Sequence, residues 1–333
     1  GISGLRGTIG GSLSAELAAR YAAAAGSWFR DVRGGVEKVR LVVGRDSRPS
    51  GGMVERAVVA GLESVGCDVI MLGVVSTPGV AIMARECEAD GGIVITASHN
   101  PIQWNGIKVI RADGVAPPPE EAQRIIDRFH ANDTSPVEVE SLGHASSHPD
   151  AAAIHVDKVL QVVDVDSIRQ AKLKAVVDSV HGAGGNEAAR LLEALGVERV
   201  AMYPEPTGWF PHPPEPLAAN LTELCQRVSE HQADVGFAQD PDADRLAIVD
   251  ENGRFIGEEY TLALAALHLL GEGETVSANL STSRMIDDIA ACVGGRVVRT
   301  AVGEANVARG MRHNDARLGG EGNGGVILRD ISQ

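Results

Sequence analysis

The sequence alternates between short apolar runs rich in Val and Ile and longer segments with helical periodicity, and this constrains the fold most. The apolar runs lack polar alternation, which is typical of strands that helices cover on both faces. Strands separated by helices in this way predict parallel α/β layers. The expected strands are Arg40–Val43, Asp68–Leu72, Gly92–Thr96, Ala175–Ser179, Glu198–Met202, Val235–Ala238, Leu246–Asp250, Thr275–Ala278, Arg296–Thr300 and Val326–Leu328.

Helical spacing of apolar residues fills the intervals between these strands. In the first helix, Leu17, Tyr21, Ala24 and Trp28 recur on one face behind Ser14, a suitable N-cap. The other expected helices cover about 52–65, 79–87, 151–163, 186–195, 221–231, 258–270 and 303–312.

The chain of 333 residues is long enough for two or three domains, at roughly 100–200 residues each. The stretch 132–149 is polar, rich in Ser, His and Pro, and without periodicity, so we interpret it as an inter-domain linker. The α/β pattern restarts after it and again after the turn at 251–253. We therefore predict domains at 1–150, 151–252 and 253–333, the last incomplete at its C-terminal end.

Composition excludes several classes of protein. No apolar run approaches 18 residues and no signal peptide is visible, so we expect no membrane segment and no export. The net charge of −15, with no basic stripe, argues against nucleic acid as a partner. The four separated cysteines form no CxxC pair, which predicts free, mostly buried thiols in a reducing cytoplasm.

Ligands of parallel α/β sheets bind beyond the carboxyl ends of the strands, so the loops after strands are the candidate sites. The first such loop, Thr96-Ala97-Ser98-His99-Asn100-Pro101, follows an apolar strand and should expose Ser98 on a rigid support, with Lys108 returning on the next strand. A plain polar turn in which Ser98 caps backbone donors is the alternative. Acyl transfer is disfavoured because the G-x-S-x-G elbow is missing.

The second loop, Asp240-Pro241-Asp242-Ala243-Asp244-Arg245, carries three carboxylates at alternate positions. Two unit charges 4 Å apart repel by roughly 4 kcal/mol at an effective dielectric near 20, so clustered carboxylates favour a bound hard cation. An EF-hand is disfavoured because Arg245 stands at loop position six, where that motif requires glycine. A solvated turn is the alternative to a metal site. The planar guanidinium group of Arg245 could bind a phosphate through two parallel hydrogen bonds.

The third loop, Gly319-Gly320-Glu321-Gly322-Asn323-Gly324-Gly325, is rich in glycine. Glycine lets a backbone approach a ligand closely, and Glu321 and Asn323 could bond neighbouring sugar hydroxyls. No G-K-[ST] follows, so this is not a phosphate-binding P-loop.

Taken together, the motifs resemble those of the α-D-phosphohexomutases, which include phosphoglucosamine mutases, phosphomannomutases and phosphoglucomutases. The resemblance covers nearly the whole chain in the family's order. Its matching segments are Ser3-Gly4-Leu5-Arg6-Gly7, Gly44-Arg45-Asp46-Ser47-Arg48-Pro49-Ser50-Gly51, 96–101, Asn105-Gly106-Ile107-Lys108, 240–245 and Gly320-Glu321-Gly322-Asn323. The resemblance implies consecutive similar mixed α/β domains with the active site in the cleft between them.

The resemblance also implies a role for each matching residue. Ser98 would be the phosphoserine, and Asp240, Asp242 and Asp244 would hold Mg²⁺ together with one oxygen of that group. The residues expected to line the reacting centre are Arg6, His99, Lys108 and Arg245. Lys108 would act as the general acid/base. Glu321 and Asn323 would bind the sugar. A hexose 1,6-bisphosphate would be both the intermediate and the activator. The protein is expected in the cytoplasm.

Two departures from the family pattern qualify this expectation. Asn323 stands where many members have Ser, so the choice among glucosamine, mannose and glucose phosphates stays open. The oligomeric state is also left open. The family's fourth domain, with its R-x-S-G-T-E-P-like phosphate clamp, is expected to be absent from this chain. Two other functions therefore stay open beside the mutase: a phosphatase that uses the same serine and metal, and a non-catalytic sugar-phosphate-binding protein.

Overall fold

The structure, a computed structural model, describes residues 4–35, 38–148 and 150–332. The chain divides into two compact units. The first comprises Gly1–Ala152 with Thr207–Trp209, and the second comprises Ala153–Pro206 with Phe210–Gln333. The predicted domain boundaries near 151 and 253 stay predictions. No helix among the described residues is both long and apolar enough to cross a membrane.

The first unit contains one six-stranded mixed sheet, ordered β1-β5-β4-β2-β3-β6. Its strands are β1 (Leu5–Thr8), β2 (Val39–Arg45), β3 (Cys67–Val74), β4 (Gly91–Ile95), β5 (Trp104–Arg111) and β6 (Ala145–Ser147). Strand β2 pairs in parallel with β3 and β4, and β5 pairs antiparallel with β1 and β4. The helices of this unit are α1 (Ala15–Val32), α2 (Gly51–Ser64), α3 (Thr77–Glu86) and α4 (Pro119–Ala131).

Helices cover both faces of this sheet, as its unbroken apolar strands predict. Trp28 of α1, Val58 of α2 and Ile125 of α4 share one core cluster with Val43 of β2. The next residue of β2, Gly44, points to the other face, where a Cβ would lie 2.5 Å from Val80 of α3. Ser14 caps α1 as predicted, because its side chain accepts a hydrogen bond from the Leu17 amide.

The predicted linker 132–149 is partly structured, which corrects the sequence interpretation. Strand β6 lies within it and pairs in parallel with β3. All three side chains of β6 are exposed. Polar composition without periodicity therefore concealed an edge strand, since an edge strand can be stabilised by backbone hydrogen bonds alone.

The second unit contains two four-stranded sheets, ordered β10-β9-β7-β8 and β12-β11-β13-β14. Their strands are β7 (Lys174–Asp178), β8 (Glu198–Met202), β9 (Val235–Gln239), β10 (Leu246–Val249), β11 (Thr275–Asn279), β12 (Arg296–Thr300), β13 (Leu318–Gly320) and β14 (Val326–Leu328). Each sheet has three parallel strands and one antiparallel edge, β10 or β14.

The helices of the second unit lie between these strands. They are α5 (Ala151–Leu160), which begins at the end of the first unit, α6 (Val165–Ala171), α7 (Gly185–Ala194), α8 (Thr222–His231), α9 (Glu259–Leu269), α10 (Met285–Cys292), α11 (Glu304–His313) and α12 (Arg329–Ser332). Separate apolar clusters support the two sheets: Leu224 and Val228 of α8 pack with β7, and Leu262 and Ala266 of α9 pack with β11. The cysteines are free as expected, but only Cys67 is buried and Cys292 is exposed.

Candidate active site

The serine loop follows β4 directly, as the sequence predicts. Ser98 adopts φ +51°, a left-handed conformation uncommon for a residue with a Cβ. Its Oγ lies 3.3 Å from Nδ1 of His99. The expectation that Ser98 is exposed is wrong, because the residue is only 4 % exposed. Its amide donates to Oγ1 of Thr96 over 2.8 Å and its carbonyl accepts from Nη2 of Arg48 over 2.6 Å, which holds the backbone of Ser98 in the loop.

Arg6 and Lys108 come from neighbouring strands of the same sheet. Arg6 of β1 is paired with Gly106 of β5, and Lys108 is two residues further along β5. Paired residues and residues two apart share one face of a sheet, so both basic side chains lie on the same face. Arg6 is exposed, and Lys108 is partly buried. The antiparallel pairing of β1 with β5 thus brings together two cations that are far apart in the sequence.

The three aspartates of the second loop form a cluster in the second unit. Asp240, Asp242 and Asp244 each offer a carboxylate oxygen, and these oxygens lie within 4.8 Å of one another. Asp240 and Asp242 are fully buried. The loop joins β9 to β10, and the Arg245 amide donates to Oδ1 of Asp240 over 3.2 Å, which closes the turn. Nε of Arg245 lies 3.9 Å from Oδ1 of Asp244.

The electrostatics of this cluster fit a hard divalent cation. Burial raises the pKa of Asp240 well above its usual range, and the charges of Asp244 and Asp242 raise it further, although Arg245 lowers it. Burial and neighbouring carboxylates both disfavour the ionised form of Asp240, and a bound counter-ion would offset both. The donor set consists of carboxylate oxygens, which suit Mg²⁺ rather than softer metals. The residues present therefore fit the cation that the sequence predicts.

The glycine-rich loop lies beside the aspartate loop within the second unit. The Leu246 amide, just after Arg245, donates to the carbonyl of Gly324 over 3.1 Å. A Cβ on Gly324 would lie 2.4 Å from the Leu246 carbonyl oxygen, and Gly324 has φ +91°, so this close approach requires glycine. The cation cluster and the predicted sugar loop are consequently adjacent.

Part of the glycine-rich segment is a strand rather than a loop, which corrects the sequence interpretation. Gly319 and Gly320 end β13, where a Cβ on Gly320 would lie 2.4 Å from the carbonyl oxygen of Gly325. These glycines permit close packing of β13 against its own chain. The turn that follows presents Glu321 and Asn323, both partly buried.

Glu321 is held by groups that sequence reasoning missed. Its Oε1 accepts hydrogen bonds from Nδ2 of Asn279, over 2.6 Å, and from the amide of Gly303, over 2.9 Å. Asn279 ends β11 and Gly303 precedes α11, so both follow the rule that functional residues lie beyond strand ends. Nδ2 of Asn323 donates to Oε2 of Glu321 over 3.4 Å, and its Oδ1 accepts from the Gly325 amide over 3.2 Å.

Comparison with known protein families covers nearly the entire chain. Family models of phosphoglucomutase/phosphomannomutase alpha/beta/alpha domains match at three places: domain I at residues 1–136, domain II at 153–253 and domain III at 257–333. The serine loop lies in the first match, the aspartate loop in the second and the glycine-rich loop in the third.

Individual proteins show the same similarity. A phosphoglucomutase/phosphomannomutase of Thermococcus kodakarensis is 38% identical over 334 residues, which cover 99% of this chain and 73% of the relative. A phosphoglucosamine mutase of Paracoccus denitrificans is 36% identical, over 100% of this chain and 74% of the relative. The crystal structure of a phosphoglucomutase/phosphomannomutase family protein from Burkholderia thailandensis superimposes with a TM-score of 0.85 at 29% identity, over 99% of this chain and 71% of that one.

Proposed function

Because this chain belongs to the phosphoglucomutase/phosphomannomutase family, we propose that it is a phosphohexomutase that interconverts hexose 6-phosphates and hexose 1-phosphates. The observation that carries the proposal is that each of the three matched domains contains one of the candidate site loops. Ser98 lies in the first domain, the three aspartates lie in the second and Glu321 lies in the third. The substrate class comprises glucosamine, mannose and glucose phosphates, and the activity is that of an intramolecular phosphotransferase, an isomerase.

Ser98 carries the transferred phosphoryl group in this proposal. The bond between its Oγ and phosphorus breaks as a hydroxyl oxygen of the hexose phosphate bonds to phosphorus, which yields a hexose 1,6-bisphosphate and a free serine. Lys108 accepts the proton of the attacking hydroxyl, and His99, whose Nδ1 lies 3.3 Å from Oγ, is placed to donate to the departing serine oxygen. After the bisphosphate has reoriented, its other phosphoryl group returns to Ser98.

Positive groups offset the negative charge that the transferred group carries. Asp240, Asp242 and Asp244 would hold Mg²⁺, which when bound neutralises charge on the phosphoryl group. One oxygen of the phosphoserine at Ser98 would hold the ion together with these aspartates. Arg6 and Arg245 supply fixed positive charge that needs no proton transfer.

Glu321 and Asn323 bind the sugar hydroxyls in this proposal. The bonds from Asn279 and Gly303 fix one oxygen of the Glu321 carboxylate. A fixed acceptor binds a sugar hydroxyl with less loss of side-chain entropy than a mobile one. We further propose hexose 1,6-bisphosphate as the activator and the cytoplasm as the compartment, where free cysteines are stable.

The decisive experiment follows the fate of phosphorus in purified protein supplied with Mg²⁺ and glucose, mannose or glucosamine 1-phosphate. We expect ³¹P NMR to show conversion to the hexose 6-phosphate, and intact-protein mass spectrometry to show one phosphoryl group on the protein. Ser98→Ala should lose both the phosphoryl group and several orders of magnitude in rate. Ser64→Ala, which removes a hydroxyl that donates to the Gly61 carbonyl of α2, is the matched control and should keep both.

Two results would replace this function with another. Release of inorganic phosphate and free hexose would identify a phosphatase that passes the phosphoryl group from Ser98 to water. Binding of hexose phosphates without turnover, and without a phosphoryl group on Ser98, would identify a binding protein.

A further inference from the structure

A buried ion pair lies in the segment Gly44–Gly51, to which the proposed chemistry assigns no role. Nε of Arg48 lies 3.0 Å from Oδ2 of Asp46, and both side chains have 0% exposure. The Arg48 amide also donates to Oδ1 of Asp46 over 3.0 Å. Burying two charges costs several kcal/mol per ion, which good geometry and further hydrogen bonds must offset. The further bonds of Arg48 therefore show what the pair does.

Four further bonds lead to the serine loop and to the start of β5. Nη2 donates to the carbonyl oxygens of Ser98 and Asn100, each over 2.6 Å. Nη1 donates to the carbonyl oxygens of Pro101 over 2.7 Å and Trp104 over 3.1 Å. An arginine has five N–H donors, and all five are accounted for by the carboxylate of Asp46, three carbonyls of the serine loop and the carbonyl of Trp104 at the start of β5. Arg48 thus binds the loop backbone and has no donor left for a substrate phosphate.

Thr96 connects the amide of Ser98 to the same pair. Its Oγ1 donates to Oδ2 of Asp46 over 2.7 Å and accepts from the Ser98 amide over 2.8 Å. Both backbone polar groups of Ser98 are therefore tied to the ion pair, the carbonyl directly and the amide through Thr96. These bonds hold Ser98 at φ +51°, which costs about 1–3 kcal/mol for a residue other than glycine.

The orientation of the carbonyl groups matters for a phosphorylated serine. A phosphoserine carries about −1.5 to −2 charges, so carbonyl oxygens directed at it would repel it. Arg48 draws the four carbonyl oxygens of residues 98, 100, 101 and 104 to its own buried positive charge. The same bonds fix the direction in which the Ser98 side chain leaves the backbone.

We propose that Arg48, Asp46 and Thr96 form a positioning network that sets the backbone of Ser98 for phosphoryl transfer. This inference rests on the proposed role of Ser98 as phosphoryl carrier. Arg48 acts through the backbone of Ser98 and does not itself bind the substrate. Its loss should consequently lower kcat while leaving KM little changed, because phosphoryl transfer depends on alignment to within about an ångström.

The test compares Arg48→Lys with a matched control. Lysine keeps the charge but lacks the planar fork, so it cannot bond Asp46 and four carbonyl oxygens together. We expect kcat to fall roughly a hundredfold with little change in KM, and hydrogen exchange to quicken at the amides of residues 98–104. The control Arg30→Lys alters another arginine of the first unit that bonds two backbone carbonyls, those of Val65 and Ser135. It should leave kcat and exchange in the serine loop unchanged.

Thr96→Val keeps the test decisive if Arg48→Lys does not fold. Valine retains the shape of threonine but removes the bonds to Asp46 and to the Ser98 amide, so kcat should fall and loop exchange should quicken here too. Wild-type kcat and unchanged loop exchange in a folded variant would overturn the proposal, as would an equal loss of kcat in Arg30→Lys. A wild-type protein without mutase activity would contradict the proposed function instead, because the exchange measurement tests the network independently of turnover.

Discussion

His212 and Asp178 are joined by a hydrogen bond of 2.9 Å between Nε2 and Oδ2. This bond connects the Pro-rich loop after β8, residues 204–216, to the end of β7. Nδ1 of His212 lies 2.9 Å from the carbonyl oxygen of Pro213. Asp178 is almost fully buried, and its Oδ1 accepts from the amide of Val180. Two carbonyl or carboxylate acceptors around one imidazole favour its protonated form, since both ring nitrogens then donate.

This contact predicts a dependence of stability on pH. Burial alone would lower the pKa of His212, but the hydrogen bond and charge of Asp178 outweigh it, and the pKa is raised above 6.5. A raised histidine pKa adds stability that is fully present below 6.5 and is lost as pH rises through the folded-state pKa. We expect His212→Gln to be less stable than wild type at pH 6, with a difference that shrinks at higher pH.

Urea unfolding of both proteins from pH 6 to pH 9 checks this prediction. His268→Gln alters an exposed histidine of α9 in the same unit and should follow the wild-type profile. A difference between His212→Gln and wild type that stays constant with pH would contradict the argument.

Mg²⁺ should stabilise the second unit through its three aspartates. A ligand that binds only the folded state adds about 2.7 kcal/mol at a hundredfold excess over Kd, so the unfolding temperature should rise with Mg²⁺. Asp242→Asn should abolish most of this rise. Burial is the main cause that raises the pKa of Asp240, and the charges of Asp244 and Asp242 raise it further. Because Asp242→Asn removes one of these charges, the variant without Mg²⁺ should be at least as stable as wild type. Differential scanning fluorimetry with and without chelator measures both effects.

Glu251→Gln removes an exposed carboxylate from the turn after β10 and is the control for this experiment. It should keep the wild-type response to Mg²⁺. If Asp242→Asn responds like Glu251→Gln, the cation binds elsewhere.

Loss of Glu321 should weaken sugar recognition for every hexose phosphate. Glu321→Ala removes the acceptor of Asn279 and Gly303 as well as the proposed sugar contact. Loss of a buried polar partner of the substrate costs about 1–3 kcal/mol, so kcat/KM should fall by roughly 5- to 150-fold for each substrate, with a higher KM. Steady-state kinetics on glucose, mannose and glucosamine phosphates provide the measurement.

The phosphoryl content of Ser98 serves as the internal control. Glu321 lies in the other unit, so its loss should leave the phosphorylated form of Ser98 in place. Unchanged kinetics in Glu321→Ala would move the sugar site to other residues.

Gly320→Ala should destabilise the second unit for a steric reason. The new Cβ would lie 2.4 Å from the carbonyl oxygen of Gly325, and backbone cannot move aside cheaply in a strand pair. Overpacking of this kind costs about 1–3 kcal/mol. Gly271→Ala is the matched control, since the atoms nearest to its Cβ would be those of the flexible Glu274 side chain, at 3.4 Å or more. Urea midpoints that fall equally in the two variants would refute the steric explanation.

Local sequence pattern by itself determined most of the strands and the loops that carry the chemistry. The predicted strands Glu198–Met202, Arg296–Thr300 and Val326–Leu328 have their predicted bounds. Alternate carboxylates in one turn must lie close together whatever the rest of the chain does, so Asp240, Asp242 and Asp244 were predictable as a cluster. These features depend on residues a few positions apart, which a sequence displays directly.

Only the tertiary structure decided how Ser98 is held. Arg48 bonds carbonyl groups 50 to 56 residues away along the chain, and no periodicity encodes a partnership at that distance. The left-handed backbone of Ser98 and its burial follow from those bonds, which is why the sequence predicted an exposed serine instead. The edge strand β6 has the same explanation, because backbone pairing with β3 stabilises it without any apolar side chain.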